Sequence, residues 1–502
     1  MTTQIDATQI WMLSPMLSVV LLSFLVLAVD LFTRSRVAAL VTALAGLAVP
    51  LFFSLSLAFH WFGSYPTKAF FGMLVVDGFA LFFQFLFLGI GVGVVLVSYG
   101  YVGKFLRCSL GEFYTIILMS LAGMMLMGST GELISVYISL ELTSIPLYVL
   151  AGLSRTDGRS AEASVKYVLL GAMSSAILLY GMALLYGATG TTDLAEIARA
   201  ATTALTGGNL VLLAAEVFIF TGFGFKISAV PFHMWAPDIY EGAPTPSTLF
   251  FSVGSKAAGF AALLRVFVAG GLVGASHTSL WAMVAIIAAV TMTLGNVVAL
   301  LQSNIKRMMA YSSIAQAGYL LVGLSAVMLN AAPGTTTASG VLAILAFLAV
   351  YVVTNIGAFT GIIGLADATG RELIRDFDGL GRRAPFVALG MGFCLLSLAG
   401  FPPFAGFLSK LFIFWAAWNE GSALTWLVIL GLINSAVAFV YYTNVLWRMF
   451  AIEPPKRDRL TMPGSVRLTM ALAIIGILGL TVVFGVLLSQ LNGAAVNLFP
   501  AL

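Results

Sequence analysis

The sequence predicts an all-α integral membrane protein with about fourteen transmembrane helices, and three observations carry that prediction. Of its 502 residues, 60% are hydrophobic and only 9% charged, whereas a soluble domain is about a quarter charged. Apolar runs of roughly 20 residues recur along the chain, each long enough to cross about 30 Å of hydrocarbon as a helix. Short alternating segments of the kind that build a barrel are absent from the sequence. The third observation is that the basic residues gather in alternate loops.

Taken in order, the runs fall near 9–30, 36–60, 73–99, 112–128, 130–153, 161–187, 209–240, 246–270, 278–301, 306–329, 338–365, 384–419, 423–450 and 467–491. The first follows Asp6 without the basic n-region and short apolar core of a cleaved signal peptide, so it reads as a retained helix. Spans seven and twelve are longer than a bilayer requires and contain prolines, Pro231 with Pro237 and Pro402 with Pro403. Both are expected to be broken helices, because proline lacks an amide donor and crowds the preceding turn.

If successive loops alternate sides, the odd-numbered loops hold 17 of the Lys and Arg residues, from Arg34 and Arg36 to Arg107, Lys456, Arg457, Arg459 and Arg467; the even-numbered loops hold only Lys68 and Arg199. The positive-inside rule then places the odd loops in the cytoplasm and both termini on the opposite, periplasmic face. The two broken helices lie five spans apart and so cross in opposite directions, as inverted repeats require. The expected organisation is one membrane domain, 1–502: helices 1–3 over about 9–99, one repeat over 112–270, a second over 278–450, and helix 14 over 467–491. "LLGAMSSAILLYGMALLYG" in span six and "LAFLAVYVVTNIGAFTGIIG" in span eleven echo each other weakly.

Five basic residues remain inside or near the spans: Lys166, Lys226, Lys256, Arg265 and Lys410. A charge within a membrane helix costs at least about 2.5–3.5 kcal/mol, which makes each a functional candidate. Arg265 stands near the end of span eight and is expected to snorkel. Lys166, a turn or two inside span six, suits either anchoring or function. Lys256 lies about 15 Å into span eight, Lys226 precedes the break at Pro231, and Lys410 follows the break at Pro402 and Pro403. Among acids, Glu141 in "ISLELTSIP" is near the middle of span five, with a fixed ion pair as its alternative reading. Glu216, Asp30, Glu132 and Asp77 are expected at the interfaces.

Burial favours the neutral form of a lysine and a nearby carboxylate the charged one. A chain of such groups at midplane depth is therefore a proton path whose occupancy can be switched electrostatically. The break at Pro231 would free carbonyls around Ile227 and admit water. His233, two residues beyond, can exchange a proton near neutral pH.

Other chemistry finds no support. The two cysteines, Cys108 and Cys394, are far apart and form no metal-binding spacing. "GIGVGVV" from Gly89 lies inside an apolar span without the strand-to-helix turn of a dinucleotide site. No sequence feature points to nucleic acid, and membrane lipid is an expected contact.

"GFGFKISAVPFHMWAPDIYEGAPTPSTLFFSVGSKAAG", "NIKRMMAYSSIAQAGY" and "GFPPFAGFLSK" resemble the antiporter-like membrane subunits of proton-pumping NADH:quinone oxidoreductase, respiratory complex I, over essentially the whole length. "PDIYEGAPTP" and the lysine of the twelfth helix are most similar to its N-type subunits; the L type also carries a lateral helix for which no length remains after span fourteen. The resemblance implies a fourteen-helix subunit with inverted five-helix repeats. It pairs Glu141 with Lys226, makes Lys256 the central and Lys410 the terminal lysine, and assigns His233 to the break. Where relatives often show "SSIAH", this chain has Gln316, which cannot titrate and is expected to serve as a hydrogen-bonding station, with Lys166 as further support.

The implied function is redox-driven proton translocation in the bacterial cytoplasmic (inner) membrane, as part of a translocase and with no redox chemistry on this chain. NADH, FMN, iron–sulfur clusters and quinone are implied for other subunits. Implied partners are the M-type and K-type neighbours and the lateral helix of the L-type subunit. Two other readings stay open: a subunit of a multisubunit sodium/proton antiporter, which shares the fold, and a structural spacer with fixed ion pairs.

Overall fold

The computed structural model describes residues 6–61, 67–106, 108–204, 210–273, 280–330, 338–454 and 458–499. Of the basic loop residues, Arg107, Lys456 and Arg457 lie outside these ranges. Thirteen helices among the described residues are long and apolar enough to cross a membrane: Ala7–Thr33, Arg36–Ala58, Gly78–Phe105, Leu110–Gly128, Leu133–Ala151, Gly158–Thr189, Leu210–Ile227, Thr245–Ala269, Leu280–Ala299, Ile305–Leu329, Ser339–Thr369, Ser422–Phe450 and Gly464–Val482. Each lies on one of the expected spans. The expected twelfth span is two helices of 15 residues each, Pro385–Ala399 and Ala405–Asn419. Neither half reaches the roughly 20 residues of a crossing, so continuous helices number thirteen and the pair together has the length of one more.

Helix ends follow local chemistry. Asp77 accepts from the amide of Ala80 and starts span three at Gly78, later than the apolar pattern suggests. The residues before it form a small antiparallel pair, Lys68–Ala69 with Leu74–Val75. Ser109 and Glu112 make a reciprocal capping box at the start of span four. Span seven stops at Ile227 and resumes as Trp235–Gly242.

Two tight crossings shape the interior. A side chain on Gly123 would stand 2.6 Å from the Thr143 amide nitrogen, which brings spans four and five into backbone contact, and one on Gly295 would stand 2.6 Å from that of Ala315, which does the same for spans nine and ten. Span eight is wholly buried, and spans ten and eleven nearly so. Span eight also carries two π-helical turns, Phe251–Ser255 and Arg265–Ala269, on either side of Lys256–Leu264. The outer spans present leucine, isoleucine, valine and phenylalanine outward, as a hydrocarbon surround requires.

Candidate functional site

Lys226 ends the first half of span seven with its side chain buried. Its Nζ donates to Ser144 Oγ at 2.5 Å and lies 6.0 Å from the Tyr148 ring centre. Ser144 stands three residues after Glu141, hence on the same face of span five. Glu141 itself accepts a hydrogen bond from Ser175 Oγ of span six at 2.5 Å. The predicted carboxylate and the partner of the lysine therefore share one face of span five without a direct ion pair, Lys226 held by Ser144 of span five and Glu141 by Ser175 of span six.

The turn beyond Lys226 is built from freed backbone. Trp235 Nε1 donates to the Phe225 carbonyl at 2.8 Å, Ala229 N to that of Gly224 at 2.8 Å, and Val230 N to Thr291 Oγ1 of span nine at 3.0 Å. Ser228 adopts a left-handed φ of 60° there, and Pro231 stands exposed outside the turn. His233 is half-buried in this segment, and its Nδ1 is buried without a hydrogen-bond partner among the described residues. Among the described residues no hydrogen bond or ion pair joins His233 to Lys226.

Span eight packs its Gly259 against Lys226, so closely that a side chain there would sit 3.2 Å from Lys226 Cβ. One turn away along span eight, Lys256 follows the first π-helical turn, a distortion often found at functional positions. Its Nζ donates to both the carbonyl and the hydroxyl of Ser313 on span ten. Ser313 Oγ lies 3.0 Å from Tyr351 OH and 3.4 Å from Tyr240 OH, and Tyr351 OH lies 3.4 Å from Ser252 Oγ. The central lysine is thus enclosed by hydroxyl groups that can both give and take a proton.

Lys410, likewise buried, reaches back across the second break to the carbonyls of Leu398 at 2.8 Å and Ala399 at 3.3 Å. Those acceptors are free because the helix stops there and Gly400 turns the chain at φ 82°. Pro402 and Pro403 follow directly. Gln316 Nε2 donates to the same Leu398 carbonyl at 3.2 Å, while its Oε1 is buried without a hydrogen-bond partner among the described residues. Gln316, Tyr351, Thr354, Ser397, Ser409 and Lys410 line one small cavity of about 10 Å³, room for about a single water.

One sequence expectation is corrected. Arg265 does not snorkel to water: its side chain is 3% exposed and forms a bidentate pair with Asp77, at 2.7 and 2.6 Å, with a further bond from Nε to the Gly128 carbonyl. A buried guanidinium is stable only when its charge and donors are met this way. Glu216, expected near the outer end of span seven, is fully buried within the protein, six residues into its helix. Lys166 bonds Glu162 at 2.7 Å and Asp238 at 2.8 Å, and Asp238 also receives Arg307 at 2.9 Å, which ties span six to span ten through the second half of span seven. Pairing alone did not reveal Ser144, Ser175, Ser313 or Tyr351; "ELTS" and "YSSIAQ" hold the available signal, hydroxyls one turn from a charged or amide side chain. Among the described residues no three His, Cys, Asp or Glu side chains come together to hold a metal ion.

Comparison with known proteins adds an independent finding. The sequence profile of the family described as NADH:quinone oxidoreductase/Mrp antiporter, TM matches residues 130–437. The NADH-quinone oxidoreductase subunit N 2 of Symbiobacterium thermophilum is 45% identical over 429 residues, 83% of this chain and 82% of the relative. The chain belongs to the subunit N family. Among solved structures, a chain of respiratory complex I from Thermus thermophilus superposes with a TM-score of 0.77 at 31% identity, covering 95% of this chain and 100% of that one. A chain of the Mrp complex from Dietzia sp. superposes with a TM-score of 0.80 over 98% of this chain and 97% of that one, but at 19% identity, a likeness of fold alone.

Proposed function

We propose that this chain is the proton-translocating membrane subunit N of NADH:quinone oxidoreductase, respiratory complex I, coupling electron transfer in other subunits to proton movement across the membrane. The observation that carries the mechanism is the contrast between Arg265 and the three interior lysines. Arg265 is locked to a carboxylate, as a structural cation is. Lys226, Lys256 and Lys410 instead face hydroxyls and break carbonyls, and among the described residues none has a carboxylate within ion-pair distance. Neutral partners of this kind allow a proton to leave without an ion pair being torn apart.

In this reading Glu141 acts on Lys226 across the Ser144–Ser175 seam, Lys256 is the central carrier, and Lys410 releases protons on the far side. Gln316 and the cavity form the link from Tyr351 to Lys410. His233 takes up or passes a proton at the first break, and Lys166 supports that break through Asp238. The two-repeat organisation is supported by the matched interruption of spans seven and twelve and by the packing of spans six and eleven, the two longest, against the first half of each broken helix. The charge asymmetry of the loops supports cytoplasmic odd loops, periplasmic termini and the inner membrane. The other subunits of the complex are the partners, with M-type and K-type neighbours and the L-type lateral helix beside this chain; the redox cofactors belong to those other subunits.

Replacing Lys226 or Glu141 with alanine, in membranes where the complex still assembles, tests the reading. Proton uptake coupled to NADH-driven quinone reduction should collapse. Undiminished coupling would leave a spacer, and sodium-dependent proton exchange by the isolated chain would favour the antiporter alternative.

A further inference from the structure

Spans nine and thirteen leave an open seam on the outside of the bundle. Along it runs a groove of about 440 Å³ lined by Ala289, Val290, Leu294, Val297, Val298 and Leu430, with Thr293 its one polar residue. From Ala289 to Val298 this wall extends about 14 Å down the helix, close to half of a ~30 Å hydrocarbon core. At the end of the same two spans on the basic face the character changes. A pocket of about 460 Å³ opens there, lined by Gln302, Ser303, Arg375, Asn444 and Arg448.

The pocket is built. The loop before span ten and the loop after span eleven are pinned together by an antiparallel bridge, Asn304 with Leu373, and by Ile374 N on the Ser303 carbonyl at 2.9 Å. Arg448 is held by both oxygens of Asp378, at 3.0 and 3.3 Å. Arg375 is exposed and makes no side-chain hydrogen bond or ion pair among the described residues. The nearby Asp376 is engaged with the Leu373 amide at 2.9 Å and with Arg371 at 3.9 Å. Trp447 stands exposed next to Arg448, and an exposed tryptophan at a helix end marks headgroup depth.

We infer that one anionic phospholipid binds here, its phosphate between Arg375 and Arg448 and an acyl chain in the groove between spans nine and thirteen. Charge complementarity selects the ligand. A zwitterionic headgroup would bring a cation to a pocket whose unpaired side chain is itself cationic, whereas a phosphate monoanion meets a guanidinium fork and the amide donors of Asn444 and Gln302. A neighbouring protein helix could fill the apolar half but would leave Arg375 buried without a counter-charge.

Native mass spectrometry of the whole complex, purified in mild detergent and titrated with phosphatidylglycerol or phosphatidylcholine, provides the test. The unmodified complex should retain one more phosphatidylglycerol than Arg375→Gln or the groove-filling Val297→Trp. Affinity should drop about fivefold for Arg375→Gln, the worth of one basic residue at an anionic surface. Phosphatidylcholine should show no difference between the three. Equal phosphatidylglycerol retention in all three, or phosphatidylcholine held as tightly as phosphatidylglycerol, would overturn the inference. So would cross-linking of Val297→Cys to a neighbouring subunit in native membranes, since that places protein in the groove.

Discussion

Removing the amine of Lys256 and removing its partner's hydroxyl are different operations. Lys256→Met deletes the proposed central carrier, and proton pumping by inverted membrane vesicles should fall to background while the complex still assembles, because methionine fills the same space in a wholly buried span. Ser313→Ala leaves the Ser313 carbonyl to accept from Lys256 but cuts the link to Tyr351. Pumping should then decline several-fold without vanishing, and Tyr351→Phe should match it; full activity in both variants would remove the hydroxyl cluster from the path. The lysines were legible in the sequence because a charge inside an apolar run has few harmless explanations. Their partners were not, since serine and threonine in helices usually bond their own preceding turn. Ser139, Thr143, Thr354 and Thr360 all do so here, and no spacing rule separates them from Ser313.

Between elements, the Arg265–Asp77 pair fastens the end of span eight to the start of span three. Position along one helix suggested a snorkelling arginine, and the carboxylate that prevents it lies 188 residues away in the chain, beyond the reach of any local pattern. Asp77→Asn would strand a buried guanidinium, at a cost of about 3–5 kcal/mol, and should lower the thermal stability of the purified complex markedly. The double replacement Asp77→Leu with Arg265→Met should recover most of that loss; equal instability in both would mean that packing, not charge, makes the joint. The second break offers a sharper case. Gly400 combines a left-handed backbone with a close approach, its missing side chain falling 3.1 Å from Lys410 Cδ. Gly400→Ala should cost roughly 1–2 kcal/mol in backbone strain and displace Lys410, so pumping should weaken more than assembly does. The prolines announced both breaks, but the groups that receive the freed carbonyls, Trp235 Nε1 and the Lys410 amine, follow only from tertiary packing.

At the scale of the whole molecule, each apolar run overlaps a helix of the structure, since hydrocarbon thickness constrains helix length so tightly. Ends set by caps and breaks differ: span three starts at Gly78 and not 73, and the helix of span fourteen ends at Val482 and not 491. What the runs left unseen is the polar layer on the basic face, which joins the two proposed repeats. Lys166 of span six and Arg307 of span ten meet on Asp238, Arg307 also bonds Glu241 at 3.1 Å, and Lys306 reaches Glu372 at 2.8 Å and the Ala243 carbonyl at 3.0 Å. Asp238 is the junction, and its side chain is 36% exposed, so each bond contributes little to stability, on the order of 0–1 kcal/mol. Its value lies in geometry: it fixes the second half of span seven, and with it the turn containing His233, against the start of span ten, the helix whose Ser313 accepts from Lys256 and whose Gln316 shares the Leu398 carbonyl with Lys410. Asp238→Asn should therefore leave assembly and NADH oxidation nearly intact while lowering the number of protons moved per NADH, and the defect should deepen as ionic strength weakens the remaining pairs. A normal proton-to-NADH ratio at every salt concentration would reduce this layer to a strap across the bundle. A ratio that falls together with NADH oxidation would place Asp238 in the proton path itself, as the group that loads the first break from the basic face.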